Sequence, residues 1–222
     1  MISVLLPTRK RPAWLKRAVE SAFITASGPI EIVLYIDQDD GESVIAADQL
    51  AVNYVIGPRI VLSDCWNKCL AAASGDIYMM GGDDMLFRTP GWDIMVESVF
   101  SESDDKILMV HGDDGANGNN FAAFPTIHAR WVEAIGYFAP PYFVGDCADS
   151  WLNDVANDLG RRRYIPFTTE HLHPLFGKAL SDATYNERKD RELRDNPTTL
   201  YDRLLPERLR DVEKLRAIME RR

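Results

Sequence analysis

Short apolar segments alternate with amphipathic segments through the first part of the chain, and this order constrains the fold more than any other feature. The apolar segments predict strands at residues 2–6, 31–36, 54–56 and 77–80. The segments between them carry apolar side chains at the three- and four-residue spacing of a helix. Strands joined by helical crossovers run parallel, and the helices pack on both faces of the sheet. The sequence therefore predicts an α/β fold with a mostly parallel sheet.

The pattern changes after residue 80. Further helices are predicted at residues 90–100, 131–138 and 148–159, and further strands or extended segments at 107–110, 121–127 and 161–167. Several of these strands follow one another without a long crossover. We therefore expect antiparallel additions to the sheet.

The end of the chain has a different composition. From residue 182 it reads as charged helix with an apolar stripe formed by Leu204, Leu205, Leu209, Val212, Leu215 and Met219. A stripe at this spacing needs a surface to cover it, either the core of the same chain or a second copy in a homodimer. We predict a main domain over residues 1–180 and a helical extension over residues 181–222.

The composition favours a globular enzyme over several other classes. A net charge of −9 argues against a nonspecific nucleic-acid coat and suits an enzyme that recruits cations to hold an anionic substrate. No apolar run approaches the roughly 20 residues of a membrane span, and the first apolar segment is too short for a signal peptide, so we expect a cytoplasmic protein. Cys65, Cys69 and Cys147 lack metal-type spacing, so we expect reduced thiols and no disulfide.

Two adjacent carboxylates follow the predicted strand at residues 77–80. The chain continues with Gly81, Gly82, Asp83 and Asp84. The glycines let the backbone turn sharply and approach a ligand, and ligands of α/β sheets bind at this edge. Paired carboxylates suit a divalent cation that also contacts a phosphate. The same four residues form good turns, so a plain turn remains an alternative.

Polar side chains also follow the first two predicted strands. Thr8, Arg9 and Arg11 are donors suited to a nucleotide or a diphosphate, although a basic cluster at a helix start is also ordinary surface. Asp37 and Asp39 follow the second strand. Since the carboxyl ends of parallel strands share one edge of the sheet, we expect these side chains to lie near Asp83.

Two further groups of polar residues lie later in the chain. Asp146 and Asp149 stand at the start of a predicted helix, where they either act on a ligand or cap the helix. His171 and His173 follow the last predicted strand, and alternation places them on the same side, as a ligand and its orienting neighbour or as packing. The second Gly-Asp-Asp segment, at residues 112–114, is followed by a Gly/Asn-rich stretch and predicts a mobile loop.

Taken in order, these segments resemble the GT-A glycosyltransferases, most closely the family-2-like members, over residues 2–174. The matching segments are Ser-Val-Leu-Leu-Pro-Thr-Arg at 3–9, the strand and acids at 31–41, Trp-Asn-Lys at 66–68, Ala-Ala-Ala-Ser-Gly-Asp at 71–76 and Met-Met-Gly-Gly-Asp-Asp at 79–84. The resemblance implies a GT-A, Rossmann-like fold with the helical tail added to it. It also implies a nucleotide-sugar donor, with a UDP-sugar favoured.

The resemblance implies roles for individual residues. The nucleotide-binding set is Pro7, Thr8, Arg9, Arg11, Asp37, Asp39, Asn67, Gly82 and Asp83. The set for Mn²⁺ or Mg²⁺ is Asp83, Asp84 and His173. Gly81 stands where the family usually has the first acid of its Asp-x-Asp segment, so the metal contact falls to Asp83, with Asp84 beside it.

The catalytic base is less directly assigned. Residues 145–152 resemble the family segment Gly-Glu-Asp-x-Asp-x-Trp-Leu, but Cys147 stands where the base is usual. The base is therefore Asp146 or Asp149, and Asp146 is favoured because it precedes the predicted helix. One carboxylate placed for in-line attack on the sugar implies transfer with inversion.

Two other functions remain open from the sequence. A noncatalytic carbohydrate- or nucleotide-binding module is suggested by Gly81 and Cys147, which stand where the family has acids. A sugar nucleotidyltransferase would share a related sheet, although residues 7–12 lack the glycines of its phosphate loop. The acceptor of a transferase is not readable, and a saccharide, a lipid-linked sugar, a protein and a modified DNA base are all compatible.

Overall fold

The computed structural model describes residues 1–220. Its strands are β1 (Ile2–Thr8), β2 (Ile30–Asp37), β3 (Asn53–Gly57), β4 (Ile77–Met80), β5 (Met85–Phe87), β6 (Met109–Asp113), β7 (Thr126–His128) and β8 (Arg162–His171). Its helices are α1 (Pro12–Thr25), α2 (Gly41–Leu50), α3 (Leu62–Ala72), α4 (Trp92–Ser101), α5 (Ala129–Ile135), α6 (Ala148–Asp158), α7 (Ala183–Asp195), α8 (Pro197–Arg203) and α9 (Leu205–Met219).

The strands form one sheet in the order β3-β2-β1-β4-β7-β6-β8-β5. The strand β1 pairs in parallel with β2 and β4, and β2 pairs in parallel with β3. The strand β7 is antiparallel to both β4 and β6, and β5 is antiparallel to β8, whereas β6 and β8 are parallel. The predicted mixed, mostly parallel α/β sheet is confirmed, together with its antiparallel additions.

Each face of the sheet buries its own hydrophobic core. On one face, α1, α2 and α4 cover side chains of β1 and β2 such as Val4 and Ile32. On the other face, α3, α5, α6 and α9 cover Leu5, Val33 and Met80. Successive side chains of a strand point to opposite faces, so continuous apolar strands such as β1 are expected where both faces are covered.

Local details differ from the sequence-based predictions in three places. The helix α3 begins at Leu62 with Val61 as its N-cap, so Ser63 lies inside the first turn and does not cap it. Phe23, predicted on the buried face of α1, is 44% exposed because that face is filled by Leu15, Val19 and Ala22. Residues 121–125 form no strand, and regular pairing begins only at Thr126.

The C-terminal extension forms α7, α8 and α9, and its apolar stripe is used in part within the chain. Val212 and Leu215 are buried in the core that α5 and α6 share, with Arg208 and Asp211 on the same inward face. Leu205 and Leu209 are each 45% exposed. Intrachain packing therefore accounts for most of the stripe, the homodimer stays a prediction, and residues 221 and 222 of the predicted extension lie outside the described part.

Across residues 1–220, the helices are all too short or too polar to cross a lipid bilayer.

Candidate active site

A cleft of about 360 Å³ opens at the carboxyl ends of β1, β2 and β4. Its floor is the segment from Met80 to Asp84, and its walls come from the β1–α1 loop, the start of α6 and the end of β8. The helix α7, the start of α3 and the segment between β6 and β7 also contribute to the lining. The cleft thus collects side chains from segments that are far apart in the sequence, at the edge where α/β sheets bind ligands.

The turn after β4 is shaped by Gly81. Its N–H donates to the carbonyl of Leu5 at 2.9 Å, and its own carbonyl accepts from the indole Nε1 of Trp66 at 2.9 Å. A Cβ at this position would lie 2.9 Å from Val4 Cγ1 and 3.0 Å from the Leu5 carbonyl. A side chain at this position would push against β1 where the family usually has its first acid, and the next carboxylate along the chain is Asp83.

Asp83 is buried and satisfied by two residues of the β1–α1 loop. The hydroxyl of Thr8 donates to its Oδ2 at 2.8 Å, and Nη1 of Arg11 donates to its Oδ1 at 3.0 Å. Burial and the charge of Asp84 raise the pKa of Asp83 to about 6, although Arg11 and Thr8 oppose this. Two negative charges in a buried site repel each other, so a nearby cation stabilises the form in which both acids are ionised.

The other acid of the pair contacts the histidine segment. Asp84 Oδ2 lies 3.3 Å from His171 Nε2. Burial acts to raise the pKa of Asp84, but His171 and Arg11 outweigh it and the pKa lies below the ordinary value. The ring of His173 lies 4.9 Å from that of His171, and burial together with His171 lowers the pKa of His173 to about 4. Its Nδ1 accepts from the N–H of Leu175 at 3.3 Å and its Nε2 lies 3.4 Å from Arg188, so a ligand of His173 would replace one of these contacts.

The residues fit a divalent cation that a phosphorylated ligand helps to hold. Within residues 1–220, no group of three or more His, Cys, Asp or Glu side chains is arranged to hold a metal ion. Asp83, Asp84 and His173 nevertheless line the same cleft. Magnesium in particular takes one or two protein carboxylates and completes its shell with phosphates and water.

Guanidinium groups line the half of the cleft near β2. Arg9 Nη1 contacts Asp37 Oδ2 at 2.8 Å and Asp39 Oδ1 at 2.6 Å. Arg59 also contacts Asp37, at 2.9 Å. Asp37 and Arg59 line the cleft, and the carboxylate of Asp39 holds Arg9 from the exposed side.

The two candidate bases differ in their surroundings. Asp146 is exposed and pairs with Arg188 at 2.8 Å and Lys189 at 3.6 Å. Partial burial acts to raise its pKa, but these cations keep the pKa below the ordinary value. Asp149 is partly buried in the first turn of α6, and burial together with the charge of Asp146 raises its pKa to about 6. A carboxylate with a pKa near 6 is the better proton acceptor at neutral pH.

Cys147 stands between these acids in a left-handed backbone conformation, with φ of 81°. Burial and the neighbouring acids raise the pKa of its thiol to about 11. The thiol therefore stays protonated near neutral pH, and it does not replace the carboxylate that the family has at this position.

The segment from residue 182 to residue 192, which we call the strap, supplies Thr184, Tyr185, Arg188 and Arg191 to the lining of the cleft. Asp182 caps α7 and pairs with Arg11 through two contacts of 2.8 and 2.7 Å. Farther along the strap, Arg188 lies 3.4 Å from His173 Nε2 and 2.9 Å from the buried Glu192. The strap is therefore part of the site, and not only a covering for the core.

Most residues predicted for the site come together in the cleft, and Asp39 and Asn67 do not line it. The lining includes Pro7, Thr8, Arg9, Arg11, Asp37, Gly82, Asp83, Asp84, Asp146, Asp149 and His173. The side chain of Asn67 is instead directed to the backbone, with Oδ1 accepting from Phe138 and Ala139 and Nδ2 donating to the Ala139 carbonyl. Asn67 was predicted to bind nucleotide. In the structure its carboxamide makes these three bonds to the backbone, which is a structural role.

The cleft residues supplied by the strap were not predicted from the sequence. These are Thr184, Tyr185, Arg188 and Arg191. The charged composition after residue 182 predicted a helix but gave no sign that it lines the cleft. Arg59 follows the third predicted strand but was not assigned to the site, and Phe121 and Phe124 lie in a segment that was predicted only as extended.

The sheet order and the cleft at its carboxyl edge define the GT-A glycosyltransferase fold, which confirms at the level of the fold the resemblance seen in the sequence. A mannosyltransferase from Pyrobaculum calidifontis in complex with GDP-Man and Mn²⁺ is similar with a TM-score of 0.62 and 14% identity, over 98% of this chain and 73% of that chain. Glucosyl-3-phosphoglycerate synthase from Mycobacterium tuberculosis, in complex with Mn²⁺, UDP and glucosyl-3-phosphoglycerate, is also similar. Its TM-score is 0.60 and its sequence identity 17%, over 80% of this chain and 74% of that chain.

A third similar structure is S. aureus TarS, with a TM-score of 0.58 and 11% identity, over 87% of this chain and 43% of that chain. No protein-family model matches the sequence, and a search of curated proteins finds no match. At sequence identities this low, the structural similarity shows a shared fold and nothing finer. The function is therefore argued from the residues of the cleft.

Proposed function

We propose that the chain is a glycosyltransferase that moves a sugar from a nucleoside diphosphate sugar to an acceptor hydroxyl. The observation that carries this proposal is the content of one cleft. It combines the Asp83–Asp84 pair, a set of arginines near β2, and Asp149 with its raised pKa. A transferase of this kind needs a cation for a diphosphate, donors for a nucleotide and a proton acceptor.

The donor in this proposal is a nucleoside diphosphate sugar, with a UDP-sugar as the favoured one. Pro7, Thr8, Arg9 and Asp37 line the part of the cleft where the resemblance places the nucleotide. Carboxylates suit the N–H and hydroxyl donors of a base and a ribose, and guanidiniums suit phosphates. Two of the similar solved structures contain UDP or GDP-Man, so both nucleotides belong in the test.

Asp83, with Asp84 and His173 nearby, would hold Mn²⁺ or Mg²⁺. Such an ion neutralises the charge that develops on the diphosphate as the bond to the sugar breaks. Thr8 and Arg11 orient the Asp83 carboxylate through the contacts described above. The neighbouring wall of the cleft carries Trp66, whose indole fixes the Gly81 carbonyl and so keeps the turn in place.

Asp149 is the proton acceptor that we propose, in place of the Asp146 favoured from the sequence. Asp146 is paired with two cations, and its lowered pKa makes it a weak base. Asp149 accepts from the N–H of Ser150 at 2.7 Å and has a raised pKa. A single carboxylate that removes the proton as the hydroxyl attacks the sugar gives transfer with inversion.

Donor hydrolysis tests the proposed function without knowledge of the acceptor. The protein is incubated with a panel of UDP- and GDP-sugars and Mn²⁺, and the released nucleoside diphosphate is measured. We expect slow hydrolysis of at least one donor, and loss of that activity in Asp83→Asn. Binding of UDP or GDP without hydrolysis of any donor would indicate the noncatalytic module. Failure to bind either nucleotide would contradict the proposal.

A further inference from the structure

The strap is attached to the nucleotide half of the cleft by side chains along its length. At its start, Asp182 pairs with Arg11, and the hydroxyl of Thr184 donates to the Arg9 carbonyl at 3.0 Å. In its middle, Glu187 contacts Arg9 at 3.2 Å and Arg59 at 3.1 Å. Asp182 and Glu187 of the strap thus contact the guanidiniums of Arg9, Arg11 and Arg59.

The arginines in this half of the cleft are already paired with carboxylates. Arg9, Arg11 and Arg59 are contacted, within 3.2 Å, by five carboxylates of the described chain: Asp37, Asp39, Asp83, Asp182 and Glu187. Two other cations lie beside them, since Lys10 is 3.4 Å from Asp39 and Arg191 also lines the cleft. Asp182 and Glu187 are the carboxylates that the strap contributes to these pairs. A diphosphate gains the attraction of the arginines when these two acids leave them.

The strap acids are open to solvent on one side. The side chain of Asp182 is 36% exposed and that of Glu187 is 42% exposed. Their partners Arg11 and Arg9 are only 14% and 13% exposed, so a ligand that displaces these acids must replace their contacts with the guanidiniums. A phosphate oxygen makes the same paired contact with a guanidinium as a carboxylate does. An incoming diphosphate can therefore replace them at Arg9, Arg11 and Arg59.

We propose that Asp182 and Glu187 are internal competitors of the donor's phosphates and set which nucleotides the cleft accepts. This inference rests on the proposed function, because it takes the donor to be a nucleoside diphosphate sugar. A ligand that carries phosphates displaces the strap acids from the arginines. A neutral nucleoside lacks the charge to do so, and it leaves the strap in contact.

The test compares ligands of different charge on strap variants. Binding of UDP, GDP and uridine is measured by calorimetry at constant Mg²⁺ for the unmutated protein and for Asp182→Asn/Glu187→Gln. The matched control is Asp190→Asn, which removes an exposed acid from the same helix. We expect the affinity for the diphosphate that binds the unmutated protein to rise about three- to tenfold in the double variant, with uridine binding unchanged. The control should resemble the unmutated protein.

The opposite results would overturn the proposal. A fall in diphosphate affinity would show that the acids hold the arginines in place for the donor, and equal affinity would show that they do not compete. If the double variant is unstable, hydrogen exchange on the unmutated protein decides instead. We expect UDP to speed exchange across residues 183–192 and leave α9 unchanged, whereas slower exchange in the strap would contradict displacement. If the unmutated protein binds neither UDP nor GDP, the proposed function itself fails.

Discussion

At the scale of single residues, the cleft departs from its family pattern at a position where packing forbids the usual side chain. Gly81 lies against Val4 and Leu5 so closely that a Cβ does not fit. The acid is displaced by two positions, to Asp83, whose oxygens accept from Thr8 and Arg11. A glycine at this position suits the close packing of the turn on β1, and the acids of the turn are Asp83 and Asp84.

Replacing Asp83 with Asn tests the cation site. A neutral amide loses most of a carboxylate's attraction for a hard cation, so we expect Mn²⁺ to tighten UDP binding to the unmutated protein but not to Asp83→Asn. Calorimetric titration with and without Mn²⁺ measures the effect. Asp113→Asn, in the other Gly-Asp-Asp segment, serves as the control, and Mn²⁺ should still tighten UDP binding to this variant. Equal UDP affinity of the unmutated protein in both conditions would count against a cation site.

The choice of base gives the second residue-scale prediction. Removal of a general base typically costs about 10²- to 10⁴-fold in turnover and leaves substrate binding nearly intact. We expect this of Asp149→Asn, with UDP affinity unchanged. Asp146→Asn should lower turnover less than Asp149→Asn does, since Arg188, the partner of Asp146, still contacts Glu192 as a second acid. Steady-state kinetics of both variants decide, and a clean catalytic defect in Asp146→Asn alone would restore the assignment favoured from the sequence.

The pKa of Asp149 adds a dependence on pH. Since the base acts when deprotonated, turnover should rise with pH through about 6 and level off above it. The free energy of unfolding should instead fall as the pH rises. A carboxyl whose pKa is higher in the folded than in the unfolded chain binds more protons when folded, so stability falls as pH rises from about 4 to about 6. We therefore expect Asp149→Asn to melt no lower than the unmutated protein at pH 8, as measured by calorimetry.

At the scale of elements, the strands and the residues just after them were predictable from the sequence, and contacts between distant elements were not. Asp37 and Asp83 were assigned to the cleft because each follows an apolar strand, and parallel strands share an edge. The pairing of Asp146 with Arg188 joins α6 to a helix that carries no recognisable motif. For the same reason Asn67 was misassigned, since its partners lie in the segment after α5.

The helix α9 shows how a polar residue can fix an element to the core. Asp211 is buried, and it accepts hydrogen bonds from the hydroxyl of Tyr137 and from the indole of Trp151, the latter at 3.0 Å. Burial raises its pKa, while these two donors oppose the rise. The acid that interrupts the apolar stripe of α9 is thus the residue that orients the helix on α5 and α6.

Removal of this carboxylate should destabilise the chain. Asp211→Ala leaves two buried donors without their acceptor, at a cost of about 1–3 kcal/mol for each unsatisfied group. Urea unfolding measures the loss, and Glu213→Ala, an exposed acid two residues along the same helix, is the control. An equal small effect of both substitutions would mean that water reaches Tyr137 and Trp151, and that α9 is held by apolar packing alone.

At the scale of the whole molecule, the C-terminal extension serves two different parts of the fold. The strap lines the cleft and pairs with its arginines, whereas α8 and α9, which follow the break at Asn196, pack on the core that α5 and α6 share. The sequence predicted that the tail packs on something, because its apolar stripe required a cover. It could not show that the charged segment before the stripe contributes to the site, since charge patterns do not specify a partner.

Deletion of residues 197–222 separates these two roles. The truncated chain keeps the strap but loses Val212, Leu215 and Tyr201, which cover Trp151 and Phe143. Each buried aliphatic side chain contributes about 1.5–3 kcal/mol, and 1 kcal/mol shifts the melting temperature of a chain this size by about 2–4 °C, so we expect a fall on the order of 10 °C. UDP binding should persist below the new melting temperature, because the strap and the cleft arginines remain.

The same deletion tests whether α9 joins two copies of the chain. If it does, light scattering should show that the deletion halves the molecular mass of the particle in solution. An unchanged melting temperature would show that α8 and α9 do not stabilise the core, and loss of UDP binding by a folded truncated chain would show that the strap depends on them.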